Sequence, residues 1–110
     1  MANTFSRKLS RSIGVTATTV GGYTVAALTQ VTVIGLSVAN TTASTVSVSV
    51  TLFDGTNSTY LSKDAPVPAG GSLVLMGGDQ KLVILTGDQI QVASSVATSV
   101  DAVMSILEIT

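Results

Sequence analysis

The sharpest pattern in the chain lies at residues 45–53, where Val46, Val48, Val50 and Leu52 alternate with Ser47, Ser49 and Thr51. Strict period two places the apolar set on one side of a β-strand and the hydroxyls on the other. Asp54-Gly55-Thr56-Asn57 follows, and Asp-Gly between two such runs signals a hairpin, because glycine supplies the positive φ of the turn. Residues 58–63 are therefore expected to pair back antiparallel. Further short β-like runs cover 23–28, 30–40, 72–76, 81–85, 89–93 and 100–109, with turn signals at Gly77-Gly78-Asp79 and Gly87-Asp88. Pro66 and Pro68, followed by Ala69-Gly70-Gly71, favour an extended edge or a loop between two of them.

Two runs depart from clean alternation. In 30–40, Val31 and Val33 fall on one face but Ile34, Leu36 and Val38 on the other, so either a bulge near Gly35 re-phases the strand or both faces are covered. In the last run, Val103, Leu107 and Ile109 alternate against Met104 and Ile106, the pattern of a strand that is central or covered by a partner.

Seven or eight such strands joined by tight turns, with no helical period, predict an all-β fold: an antiparallel β-sandwich, with an immunoglobulin-like arrangement expected and a jelly-roll-like one open. Residues 1–20 show neither period and read as an extended basic N-terminal arm, leaving 21–110 as the sandwich domain.

Composition sharpens this picture. The 110 residues are 45% hydrophobic and only 10% charged, against roughly 25% charged in ordinary soluble domains, so the surface is poorly protected against association. Charge is also unevenly placed. Arg7, Lys8 and Arg11 crowd the first eleven residues, whereas the acidic residues all lie beyond Phe53 with only Lys63 and Lys81 among them. No stretch approaches the roughly 20 apolar residues that span a bilayer, and residues 1–15 lack the apolar core of a signal peptide, so a soluble chain made in a cytoplasm is expected. In that setting the sequons at Asn40 and Asn57 read as chance matches.

Chemistry is sparse. Histidine and cysteine are absent, which removes Ser-His-Asp and Cys-His catalysis and every N/S metal site. Ser62 and Lys63 are adjacent on a strand and point to opposite faces, so they form no dyad. The aspartates beside glycines suit turn capping rather than calcium, and Gly70-Gly71-Ser72 lacks the Lys and helix of a phosphate loop. No enzyme activity, cofactor or metal is expected. Without tryptophan, the hydroxyl-rich strands are weak support for a carbohydrate- or receptor-binding module, which stands as the alternative function. Three basic charges without interleaved aromatics are too few for nucleic acid.

The opening NTFSRKLSR, the block VTVIGLSVANTTASTVSVSVTL, the more distinctive PVPAGGSLVLMGGDQ at 66–80 and the ending GDQIQVASSVATSVDAVMSILEIT together resemble small virion structural proteins of tailed bacteriophages. The resemblance covers nearly the whole chain. It implies a non-enzymatic virion subunit, synthesised in the host cytoplasm and placed on the head or on the collar, neck or tail. Its partners would be capsid, neck or tail subunits and further copies of itself, a trimer suiting a small sandwich. Edge strands pair readily with other chains, so the candidate assembly contacts are Phe5, Arg7, Lys8 and Arg11 in the arm and Val103, Leu107 and Ile109 in the final strand.

Overall fold

A computed structural model describes residues 3–76 and 81–110, and β-branched alternation becomes strand nearly throughout. The strands are β1 (Asn3–Ile13), β2 (Thr18–Thr19), β3 (Gln30–Asn40), β4 (Val46–Phe53), β5 (Ser58–Val67), β6 (Ser72–Met76), β7 (Leu82–Ile84), β8 (Gln89–Ser94) and β9 (Val100–Ile109). Every pairing is antiparallel. One sheet runs β1-β9-β3-β6, with β7 also paired to β3; the other runs β2-β8-β4-β5.

The pairs are nested: β1 with β9, β2 with β8, β3 with β6 and β7, β4 with β5. The chain is thus one long hairpin rolled into two sheets, which is jelly-roll topology. The all-β antiparallel sandwich holds, and the immunoglobulin-like arrangement gives way to this one because the first strand bonds the last.

The core lies between the sheets, with Val31, Val33, Leu36 and Val38 of β3 facing Val48 and Val50 of β4 across it. A register shift between Val33 and Gly35 explains how one strand keeps all four inward: the bulge absorbs a residue and re-phases the alternation. Met104 and Ile106 of β9 are wholly buried, and β9 is central, between β1 and β3. The Asp54 carboxylate accepts from the backbone N–H groups of Thr56 (2.9 Å) and Asn57 (2.7 Å), closing the hairpin between β4 and β5 as the Asp-Gly signal requires.

One polar side chain pins the sheets at one end. Asn40, 3% exposed, donates from Nδ2 to the carbonyls of Ser44 (2.7 Å), Val67 (3.0 Å) and Pro68 (3.2 Å). Its Oδ1 accepts from the Thr42 N–H (2.9 Å) and hydroxyl (2.7 Å). A buried amide so engaged has no hydrogen left to lose, so the folded chain offers no glycan acceptor at Asn40.

Three expectations differ from the structure. Residues 3–13 are not a free arm but the edge strand β1, paired with β9 along its length. The period was hidden because it is inverted: Phe5, Arg7 and Leu9 are exposed, while the alternate Ser6, Lys8 and Ser10 are half-buried under the turn at Val20–Gly22. Residues 23–28 are not a strand. Val25 is fully buried, exchanging backbone hydrogen bonds with Gly87 and Asp88, Tyr23 packs partly against the core, and Leu28 takes a left-handed φ of 58° that ends any extended run. Finally, β5 continues through Pro66, which an edge strand tolerates because its outward side has no ladder to feed. The expected turn at Gly77-Gly78-Asp79 lies outside the described residues.

Candidate assembly face

Residues paired directly across neighbouring strands share a face, so the registers define what the outer surface of the β1-β9-β3-β6 sheet presents. One row runs Phe5, Leu107, Thr32, Val83 across β1, β9, β3 and β7. Four residues along β1 and β9, a second runs Leu9, Val103, Ser37, Val74 across β1, β9, β3 and β6. Between them lie Arg7, Ser105 and Gly35. Both rows are apolar at their ends and open to water: Phe5 is 74% exposed, Val74 64%, Val83 60%, Val103 44% and Leu9 37%.

Beyond the Phe5 row, Ile109 pairs with Asn3 and Gln30, and there the face runs into a shallow notch of about 460 Å³ bordered by Ile109, Leu85 and Leu28. Leu28 is 94% exposed on its left-handed backbone. A branched side chain in that conformation is strained.

The other sheet's outer surface is of opposite character. Ser47, Ser49 and Thr51 of β4 stand beside Gln89 and Gln91 of β8, and β2 adds Thr19. The Thr19 hydroxyl donates to Gln89 Oε1 at 2.6 Å and receives Gln91 Nε2 at 3.3 Å; Asp64 N–H donates to Ser49 Oγ at 3.0 Å. These groups satisfy one another and water. The sandwich therefore has one face rich in hydroxyls and amides, with Phe53 and the exposed Tyr60 toward its β5 side, and one face with apolar rims.

Five of the seven residues singled out from sequence, Phe5, Arg7, Val103, Leu107 and Ile109, converge on the apolar face. Arg11 is exposed on the same edge strand, within the register shift between Ser10 and Ile13. Neither the Arg7 nor the Arg11 side chain has a hydrogen-bonded or ionic partner among the described residues.

Lys8 does not belong with them. It turns to the inner side, where its ammonium lies 4.7 Å from the centre of the Tyr23 ring. The Tyr23 hydroxyl donates to Glu108 Oε2 at 2.8 Å. Burial first, then the hydrogen bond and charge of Glu108, hold its ionisation well above the ordinary phenol range. Gly21, at φ 63°, lets the turn approach so closely that a Cβ there would lie 2.7 Å from Lys8 Cβ, and its N–H donates to Ser10 Oγ at 2.8 Å. Lys8 thus fastens the edge strand to the body. Leu9, Val74 and Val83 went unnamed from sequence, although Leu9 shares the phase of Phe5 and Arg7, and Val74 alternates with the inward Leu73 and Leu75.

Of the acidic residues described, Asp54 and Asp88 sit at turns, Asp64 at a left-handed kink in β5, and Asp101 and Glu108 on β9. Among the described residues no three carboxylates gather as a metal site would require.

No protein-family model matches the chain, and no curated protein matches it. Among solved structures it is similar to one from Bacillus endospore appendages, described as a novel family of disulfide-linked pili. The likeness has a TM-score of 0.52 at 12% identity and covers 100% of this chain and 91% of that one. At such identity it shows the fold alone: an antiparallel β-sandwich.

Proposed function

We propose that the chain is a non-enzymatic structural subunit of a bacteriophage virion, self-associating and joined to neighbouring head, neck or tail proteins through the outer face of the β1-β9-β3-β6 sheet. The observation that carries this reading is the exposure of Phe5, Leu9, Val74, Val83 and Val103 on one side of a domain whose other side is hydroxyl- and amide-rich. Contiguous exposed apolar surface on a small domain marks a binding surface. A lone unpaired arginine and an aromatic within it match the composition of interface centres. The sequence blocks resembling phage virion proteins supply the kind of particle. The pilus origin of the structural neighbour is support of a weaker kind, since that fold is used there in an assembly.

The candidate contacts expected in the arm thus belong to β1, an edge strand whose outer rim and outer face are both open to a neighbour. Mass spectrometry of purified particles is expected to find the chain in many copies. A Phe5→Glu variant with an unchanged far-ultraviolet dichroism spectrum is expected to be lost from them. Absence of the chain from particles, or undiminished incorporation of Phe5→Glu, would overturn the reading.

A further inference from the structure

The identity of what covers the apolar face follows from its own symmetry. Each of its two rows is apolar at both ends, Phe5 and Val83 in one, Leu9 and Val74 in the other, with one hydroxyl residue on β3. A two-fold axis lying along the strands, between β9 and β3, reverses strand order while keeping rows in place. It sets Phe5 against Val83, Leu107 against Thr32, and Leu9 against Val74 of a second copy. A surface that matches its own reversal is what an isologous contact needs.

Charge chooses between the possible axes. Arg7 is the cation between the two rows and has no partner among the described residues. An axis running across the strands through the Arg7 row would also superimpose apolar rows, but it would stack Arg7 on Arg7. The axis along the strands instead holds the two Arg7 side chains at opposite rims, about 14 Å apart at three strand spacings of ~4.8 Å.

The area suffices. Four strands at ~4.8 Å and nine residues at ~3.4 Å span roughly 590 Å² per copy, or about 1,200 Å² in the pair, against the ~1,000 Å² expected of a biological contact.

We propose that this face seats a second copy of the chain, forming a face-to-face pair with its two-fold axis parallel to β9 and β3. The proposal rests on the reading of the chain as an assembling subunit and names that subunit's first partner.

The chain contains no cysteine, so introduced thiols report uniquely. The full chain is prepared as Phe5→Cys and as Val83→Cys, and each alone and their equimolar mixture are treated with a short bismaleimide. A covalent dimer is expected from the mixture alone, because residue 5 meets residue 83 of the other copy and lies far from its own counterpart. Sedimentation of the unmodified chain should give twice the monomer mass, and Val74→Glu, on an exposed site, should halve it while keeping the β-sheet dichroism. A monomer or trimer mass overturns the pair. So does cross-linking of Phe5→Cys to itself as efficient as in the mixture, or dimerisation through Thr51→Cys on the opposite face. In particles, Phe5→Cys cross-linked to a different protein would overturn the pair and leave the assembly reading standing. A pair in solution with the chain missing from particles would support the pair and sink the virion placement alone.

Discussion

Replacing Asn40 tests whether the rolled hairpin is pinned where its sheets converge. Asn40→Ala removes an amide whose two Nδ2 hydrogens serve three carbonyls and whose Oδ1 serves two donors on Thr42. At a net ~1 kcal/mol per well-made bond, plus the cost of carbonyls left dry, the loss should be about 3–4 kcal/mol. That is a large part of the ~5–15 kcal/mol by which domains are stable. At about 4 °C per kcal/mol, the melting temperature should fall by roughly 12–16 °C.

Asn40→Asp adds a pH signature. Three carbonyls around a dry carboxylate disfavour its ionised form, so its folded-state pKa rises above the unfolded one. The folded state then holds its proton to higher pH, and stability is greatest below the unfolded value of about 3.9 and declines as pH rises above it. Urea unfolding followed by far-ultraviolet dichroism from pH 3 to 8 measures both. A loss under about 1 kcal/mol for Asn40→Ala, or an Asn40→Asp protein whose stability climbs with pH relative to wild type, would refute the argument.

Gly21 and Gly22 share φ 63°, but a Cβ would strike Lys8 only from Gly21, whereas Gly22 faces open space. Gly22→Ala should cost about 1 kcal/mol for the left-handed backbone, and Gly21→Ala measurably more by the same urea titration; equal losses would mean the turn is not packed on β1. Tyr23→Phe leaves Glu108 without its donor and should cost about 1 kcal/mol. In the wild type, the stability tied to Tyr23 is complete below the ordinary phenol value of 10.0 and declines above it, since the folded state keeps the proton longer; alkaline difference absorbance in a Tyr60→Phe background reads it. The Asp54 carboxyl, held below its ordinary 3.8 by the N–H groups of Asn57 and Thr56, should titrate there by carbon-detected NMR. Its contribution is present above that value and fades in more acidic solution.

How far the sequence revealed this molecule depended on whether a strand's message was local. β4 and its turn were plain, because valines alternate with hydroxyls and Asp54 caps its own loop. β6 emerged with its bounds intact, and Gly35 correctly signalled the bulge that keeps β3 in phase. β1 was missed as a strand because its inward side chains are Ser6, Lys8 and Ser10, covered by a turn rather than by the opposite sheet. Topology was hidden for a different reason: whether β1 finds β9 or a nearer strand is decided by packing of the finished sandwich, which no short window records. The same division applies to the apolar face. Phe5, Val103 and Leu107 could be named as candidates because doubly apolar or oddly placed residues stand out along one strand. Val74 and Val83 join them only through pairing with β3, and Lys8 left the group because Tyr23 offered it a ring.

The nested pairing also sets a timetable. Every strand-pairing partner of β1 lies at or beyond Val100, so the first sheet has no centre until β9 inserts between β1 and β3. Contacts so distant along the chain close slowly, on the order of milliseconds to seconds for all-β domains. Until then the Phe5 and Leu9 side chains have no Leu107 or Val103 beside them, and the face on which a neighbour would dock does not exist. Any association through that surface is thereby reserved for molecules that have finished folding, which suits a sparsely charged chain.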